Sequence, residues 1–314
     1  MLFSILIPAY NAEKYILKCV NSIKNQSFED WECIIVDDGS DDATYDLISK
    51  NICNDNRFLL IKQENMGVAK TRNLLINNAN GDFVFWVDSD DFIAPNTLKI
   101  LYENIMHYNA DIYVFNYTVV ANNCKNFEKK LIESDVKITS KEALKYLAEE
   151  YKMPSFLCNK IFRRKIFKDV TFREDLKMLE DYDIMPRLYY KANEIVLIKE
   201  SLYYYRQVNN SITHNISKDM IKRSIEIMKM RAEFIQNCHP ELVRYINTGR
   251  AFASINNIIL CKENNYNYLY KYFIKDLRKN LIYFLLNKRV KLKSKIGALA
   301  LAINFQFYQI LRRL

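Results

Sequence analysis

Five short apolar runs punctuate the first 120 residues, at 2–7, 33–36, 58–61, 83–87 and 112–119, each with the continuous apolar character of a strand buried on both faces. Between them Ile16, Cys19, Val20 and Ile23 recur at i, i+3, i+4 and i+7, the spacing of one helix face, and comparable patterns cover 42–53, 67–79 and 95–108. Asp41 or Asp42 is placed to cap the second helix, and Pro95 suits the first turn of the last. Strands and helices alternating in this way predict an α/β fold, a Rossmann-like and mostly parallel sheet with helices on both faces. From 120 to 215 the pattern is less regular. It predicts helices over 140–149, with Ser140 as a cap, and 179–191, with Pro186 as a kink or an early stop; Ile195–Tyr205 reads as a strand. After Ser217 the chain reads as helix to its end, interrupted near His239-Pro240, Asn264-Asn265 and 291–295. The expected organisation is an α/β domain over 1–215, with halves at 1–120 and 121–215, followed by a helical region over 216–314.

A sheet of this kind binds ligands beyond the carboxyl ends of its strands, and three polar clusters fall there. Pro8-Ala9-Tyr10-Asn11 follows the first strand, Asp37 to Asp42 the second, and Asp88-Ser89-Asp90-Asp91 the fourth. The carboxylates of Asp88, Asp90 and Asp91 repel one another unless a cation or bound donors compensate. A hard divalent metal shared with a diphosphate, Mn²⁺ or Mg²⁺, is the compensation this pattern points to. Tyr10 is positioned to stack on a flat base, and a carboxylate of the Asp37-Asp38 pair to accept from a ring N–H beside it. Gly67 opens a helix whose backbone N–H groups can face an anion, with Lys70 and Arg72 adding positive charge. That segment also reads as a solvated basic helix start, just as Asp37-Asp38 reads as a turn former. Glu180-Asp181 is either an acidic helix N-terminus, favoured by the helix dipole, or a general base.

Composition narrows the class. Hydrophobic residues make up 50% of 314, and Gly and Pro number five each, which excludes collagen-like and low-complexity sequence. The seven cysteines are scattered with no CxxC pair, so zinc and disulfide frameworks are not expected and a reducing compartment fits. No basic n-region precedes Leu2-Phe3-Ser4-Ile5, so a signal peptide is not expected. The net charge of +9 is carried by the tail: residues 271–314 hold eleven Lys/Arg and one acid, Asp276. A basic tail on a neutral body points to an anionic surface such as a membrane, and away from nucleic acid. Ile296–Leu311 is apolar but contains Asn304, Gln306 and Gln309 and falls short of the roughly 20 residues a membrane span requires. It reads as an interfacial helix, or as one packed on the α/β domain or a second subunit.

The ordered segments PAYN, VDDGSDD, NMGVAKTRN, GDFVFWVDSDD and LEDYD resemble family 2 glycosyltransferases of the GT-A fold, over roughly 2–215. The resemblance implies that Pro8, Tyr10 and Asn11 border the nucleobase, that Asp38 accepts from a uracil ring with Asp37 in support, and that Lys70 or Arg72 lies toward base or diphosphate. It implies metal binding by Asp88 and Asp90, a donor-side place for Ser89 and Asp91, and a catalytic base at Asp181 beside Glu180. Asn159-Lys160 is similar to an acceptor-side segment whose aromatic first residue is here Cys158. Residues 203–214 are similar to a loop that closes over the diphosphate, with Arg206 pairing phosphate and His214 adding a metal ligand. The implied reaction is an inverting transfer from a UDP-sugar to a hydroxyl of a glycan acceptor, lipid-linked or of the lipooligosaccharide or capsule type. The expected place is the cytoplasm, peripheral on the inner membrane face through 271–314, with a homodimer as a further expectation. A nucleotidyltransferase or a non-catalytic nucleotide-sugar binder are the alternatives. The first of these usually carries a Gly- and Lys-rich loop after the first strand, where this chain has PAYNAEKY.

Overall fold

The computed structural model describes residues 1–120, 126–149, 153–176, 178–207 and 217–313. The chain forms two compact units, Met1–Ala143 with Ser155–Asn215, and Leu144–Pro154 with Ile216–Leu314.

The first unit is built on one sheet. Strands β1 (Phe3–Ala9), β2 (Trp31–Asp37), β3 (Phe58–Lys62) and β4 (Phe83–Trp86) run parallel in the spatial order β3-β2-β1-β4. They alternate with helices α1 (Ile16–Lys24), α2 (Thr44–Ile52) and α3 (Val68–Asn78). Both faces are covered, as the unbroken apolar runs require. Ile5, Ile7, Cys33, Ile35 and Phe85 share one core with Ile16, Val20 and Ile48, while the intervening Leu6, Ile34, Val36, Val84 and Trp86 are buried as well.

Beyond β4 the sheet is mixed. After β5 (Phe92–Ile93) and helix α4 (Thr97–Tyr108), strand β6 (Ile112–Val120) does not pair with β4; strand β9 (Lys160–Arg163) lies between them, antiparallel to both. The long β10 (Glu194–Arg206) runs parallel to β6, with a register irregularity between Ile198 and Tyr203, and β5 closes the far edge antiparallel to it. Strands β7 (Phe127–Lys129) and β8 (Val136–Thr139) add antiparallel partners to β6 and β10. Helices α5 (Ser140–Ala148) and α6 (Glu180–Lys191) complete this part of the chain.

Several local expectations are corrected. Asp42 precedes the cap position of α2, yet its carboxylate accepts from the Thr44 N–H at 3.0 Å, so it holds the helix start from one residue further back. Pro95 stands before the first turn of α4, which Asn96 opens. The cap of α5 is Thr139, whose Oγ1 accepts from Glu142 N–H while its own N–H donates to Glu142. Ser140 instead donates to the Tyr189 carbonyl. Helix α6 does not stop at Pro186 but runs through it to Lys191, with the proline buried.

The second unit is helical: α7 (Lys218–Cys238), α8 (Val243–Glu263), α9 (Asn267–Leu286), α10 (Leu292–Ile303) and α11 (Phe305–Arg313). Leu269, Phe273, Leu277 and Phe284 of α9 pack with Ala251, Ile258 and Cys261 of α8 around a core of their own. Among the described residues no helix is long and apolar enough to cross a membrane. The last residues of α5 belong with these helices, contrary to a boundary at 215/216 alone. Arg231 donates to the Leu147 carbonyl, and Glu149 accepts from Asn287 at 3.0 Å and Arg289 at 2.6 Å.

Gly249 makes this packing feasible, since a Cβ there would stand 1.9 Å from the Ala148 carbonyl oxygen. Gly249→Ala is expected to destabilise the helical unit by about 1–3 kcal/mol through overpacking, despite alanine's better helix propensity. Urea unfolding followed by circular dichroism measures it, and a midpoint equal to or above the parent's excludes so close a backbone approach.

Candidate functional site

The parallel register sets the site. Ala9 is level with Asp37 and Leu6 with Trp86, so β1, β2 and β4 end side by side. The first two ends are laced together. Asn11, at φ 48°, donates its N–H to Ser40 Oγ at 2.9 Å and accepts from Asp41 N–H at 2.9 Å. Ala12 N–H donates to Thr44 Oγ1 at 2.7 Å, and Glu13 accepts from Ala43 N–H at 3.2 Å. Asn11 is thus a brace between two loops. Pro8 lies within β1 opposite Val36, and Tyr10 projects at 48% exposure from the strand end.

Asp37 and Asp38 are both buried. Asp38 Oδ1 accepts from Gln63 Nε2 at 2.6 Å and Met66 N–H at 2.8 Å, and its Oδ2 accepts from Gly67 N–H at 3.0 Å. The Gly67 N–H expected to face an anion is therefore turned onto the protein's own carboxylate. Gly67 has φ 87°, which lets the chain double back from Asp38 into α3. Asp37 Oδ2 accepts weakly from Ser40 N–H at 3.4 Å, and its buried Oδ1 has no partner.

At the end of β4 the acidic cluster is held by β10. Tyr203 Oη donates to Asp91 Oδ2 at 2.7 Å and accepts from Asp88 N–H at 3.1 Å; Arg206 N–H donates to Asp91 Oδ1 at 2.7 Å, and Arg206 Nε to the Asp90 carbonyl at 2.8 Å. The Arg206 guanidinium lies 4.8 Å from the Tyr15 ring centre and 5.5 Å from that of Phe92. Asp91 is 1% exposed, and burial, with Asp88 and Asp90 nearby, lifts its carboxyl well above the usual range. Asp90 is pushed up to about 6 by burial and by Asp88. Ser89 sits half-buried between them.

Asp88 and Asp91 carboxylate oxygens and the Cys158 sulfur lie within 4.8 Å of one another, whereas Asp90 falls outside that group. The oxygen donors suit a hard divalent cation. The Cys158 thiol does not, since burial raises its pKa well above the ordinary value and keeps the proton on a soft sulfur. Asp91 already accepts two hydrogen bonds, which leaves Asp88, 38% exposed at its side chain, as the most open of the donors. His214 lies outside the described residues.

Arg72 ties this cluster to α6. Its buried guanidinium pairs with Glu180 and reaches Asp88 at 3.5 Å, with the ring of Trp86 at 6.0 Å and that of Phe172 at 5.7 Å. The arginine expected toward base or diphosphate is therefore committed to two carboxylates. Lys70 stands in an outer position with Glu174 at 4.0 Å. Asp181 follows Glu180 in the first turn of α6, with Oδ1 accepting from its neighbour Tyr182 N–H at 2.8 Å. Burial and Glu180 raise its carboxyl to about 6, against the opposing pull of Arg72.

One residue of the site, Gln63, carries no obvious signal in the sequence; it joins Asp38 to Thr71. Tyr203 opens the 203–214 segment, and its hydrogen bonds to Asp88 and Asp91 tie the end of β10 to the acidic cluster. Lys160 is fully buried and donates to the Phe156 carbonyl and Asn159 Oδ1, both at 2.6 Å; burial drops its ammonium to about 7, opposed by Cys158 and Asp181. Asn159 Nδ2 and backbone pair with Phe115, fastening β9 to β6.

The family model described as Glycosyl transferase family 2 matches residues 4–171. The chain is similar to the glycosyltransferase EpsH of Bacillus subtilis (strain 168), 32% identical over 243 residues that cover 74% of this chain and 69% of that protein. It is also similar to the glycosyltransferase GlyA of Streptococcus pneumoniae, 28% identical over 260 residues, 80% of this chain but 37% of that protein's length. The crystal structure of residues 1–349 of TarS from S. aureus with UDP-GlcNAc superimposes with a TM-score of 0.71 at 25% identity, covering 100% of this chain and 91% of that one.

Removing the Arg72 guanidinium strands Glu180 as an unpaired buried acid. Arg72→Met is expected to destabilise the first unit by about 3 kcal/mol, and the double variant Arg72→Met/Glu180→Gln by clearly less than the two single losses combined. Equilibrium denaturation of the four proteins closes the cycle; simple additivity rules out the pairing.

Proposed function

Because the chain belongs to glycosyl transferase family 2, with the GT-A fold, we propose that it transfers a sugar from a UDP-sugar to a hydroxyl of a bacterial surface glycan. The observation that carries this reading is the meeting of two acidic groups from distant segments. The end of β4 supplies Asp88, Asp90 and Asp91, and the N-terminus of α6 supplies Asp181, with Arg72 spanning Asp88 and Glu180 between them. The TarS complex with UDP-GlcNAc supports a UDP-sugar donor and makes UDP-GlcNAc the first donor to test. TarS of S. aureus (strain Mu50) is itself described as a poly(ribitol-phosphate) beta-N-acetylglucosaminyltransferase, which supports a polymeric surface acceptor; a lipid-linked acceptor at the inner membrane face is the form proposed here.

On this reading Tyr10 offers its exposed ring to the uracil, and Asp38 Oδ2 keeps capacity for a donor beside it. Asp88, the most open of the acids, would hold Mn²⁺ or Mg²⁺ together with Asp90, whose carboxylate would have to turn toward it, and the ion would supply positive charge to the departing diphosphate. Arg206 and Tyr203 keep the acidic loop in place. Asp181 takes the proton of the acceptor hydroxyl as its oxygen bonds to the anomeric carbon and the bond to UDP breaks. Attack from the side opposite the leaving group inverts that carbon. Asp181, raised to about 6, is mostly ionised at neutral pH and still basic enough to accept a proton that is released mainly as the new bond forms.

Asp181→Asn is expected to lower UDP release in the presence of acceptor by about 10²–10⁴-fold while UDP binding persists. In the parent, kcat/KM is expected to fall with decreasing pH through about 6, because the base works only when deprotonated. A variant of near-parental rate, or a flat profile across that range, removes Asp181 from the role. Chelation of divalent cations is expected to abolish transfer, and Mn²⁺ or Mg²⁺ to restore it, as measured by UDP release. Full turnover in chelator excludes the metal. Release of pyrophosphate from UTP and a sugar 1-phosphate, with no UDP released from the UDP-sugar, would indicate nucleotidyl transfer.

A further inference from the structure

Helix α10 has two faces of different fate. Ala298, Leu301 and Ala302 are buried in the helical core. Leu292, Ile296, Leu299 and Ile303, spaced i, i+4, i+7 and i+11, are exposed, Leu292 at 72% and Ile303 at 68%. A row of four large aliphatic side chains along one exposed helix face is unusual for a folded surface and marks a contact site.

The charges around the row say what kind of contact. Lys288, Lys291 and Lys293 are exposed in the link and the first turn of α10, and Lys279 and Arg312 are exposed to either side in sequence. Arg289 is held by Glu149, and Arg278 donates to the Ala302 carbonyl at 2.8 Å. Asp276, the single acid of 271–314, is occupied by Arg250 and by Ser254 at 3.0 Å. A symmetric contact of this face with itself would bring cations against cations with no acid to separate them, so a second copy is disfavoured. Aliphatic side chains rimmed by lysines match a lipid surface that carries negative charge. The twelve residues of α10 span about 18 Å at 1.5 Å per residue, too short to cross a bilayer and long enough to lie in its interface.

We propose that the face formed by Leu292, Ile296, Leu299 and Ile303 with Lys288, Lys291 and Lys293 docks on an anionic membrane surface, the aliphatic row entering the headgroup boundary and the lysines pairing with lipid phosphates. This deepens the reading of a lipid-linked acceptor, and it rests on that reading only for its purpose. A protein held at the bilayer meets an acceptor confined to two dimensions, at a far higher local concentration than in solution.

The test is vesicle co-sedimentation of the full chain, with phosphatidylcholine vesicles set against phosphatidylcholine vesicles containing phosphatidylglycerol. Binding is expected only to the anionic vesicles, and to weaken strongly in molar salt, where the screening length falls to about 3 Å. The variant Leu292→Glu/Ile296→Glu/Leu299→Glu is expected to bind at least about tenfold more weakly. These side chains are exposed, so its melting temperature and its rate of UDP-sugar hydrolysis in solution should match the parent's. No binding, equal binding to neutral vesicles, or unaltered binding by the variant overturns the proposal. So does sedimentation velocity showing a dimer that the variant dissolves, which would assign the face to a second copy. The two readings fail separately: vesicle binding without donor hydrolysis removes the glycosyltransferase function and leaves the docking face, while hydrolysis without vesicle binding does the reverse.

Discussion

The Arg72 guanidinium, buried between Glu180 and Asp88, is the contact on which the site depends. Burying the Arg72–Glu180 pair is costly in desolvation, and the attraction within it offsets that cost only when the geometry is closely held. Here Trp86 and Phe172, edge to face at 5.5 Å, both lie about the guanidinium. Such a triad contributes little net stability compared with an apolar core, but it admits one arrangement of α3, the end of β4 and the start of α6. The residues it joins lie 16 and 108 positions apart in the chain. The strand-end acids and the start of α6 are therefore fixed relative to each other through one side chain.

A second constraint follows from crowding. Three acids at one strand end raise each other's proton affinity, and the protein meets this unevenly. Asp91 receives Tyr203 and the Arg206 N–H and is the most deeply buried. Asp90 receives an arginine only on its backbone carbonyl, and its carboxyl rises to about 6. Asp88 shares Arg72 with Glu180 at the longer distance. Negative charge is thus neutralised at the back of the cluster and left under-compensated at the front. That asymmetry is what a cation site needs, because a fully paired cluster would have no reason to recruit an ion.

What was legible in the sequence was whatever repeats locally. Strands β1 to β4, β6 and β10 and helices α1 to α6 follow from periodicity, with ends displaced by a residue or two. Strand β9 has four residues, and its antiparallel pairing with both β4 and β6 depends on partners some fifty to eighty positions away, so no local pattern announces it. The candidate acids were legible as clusters, but their division of labour was not. Asp38 and Gly67 look like a ligand site and an anion site in sequence; in space they bind each other, because φ 87° at Gly67 turns its N–H back on the carboxylate. The Asn159-Lys160 segment was legible, but the burial of Lys160 was not, since a buried lysine and an exposed one are the same letter. The tail could be read as basic and apolar, but which face was already spent on the core needed α8 and α9 in place.

The engagement of Asp38 bears on how a nucleobase could be recognised. A carboxylate has about four acceptor positions, and here three are filled, two at Oδ1 and one at Oδ2. The remaining position at Oδ2 suits one N–H and no more, which is what the N3–H of a uracil presents. A cytosine ring has no proton at that nitrogen, so it would set acceptor against acceptor and leave a buried lone pair without a partner, a loss of about 1–3 kcal/mol. The three donors from Gln63, Met66 and Gly67 also keep the carboxylate from rotating to seek others. On the proposed reading the protein's own hydrogen bonds at Asp38 are therefore part of base selection: they do not compete with the ligand but remove every orientation except the one in which a single ring N–H fits.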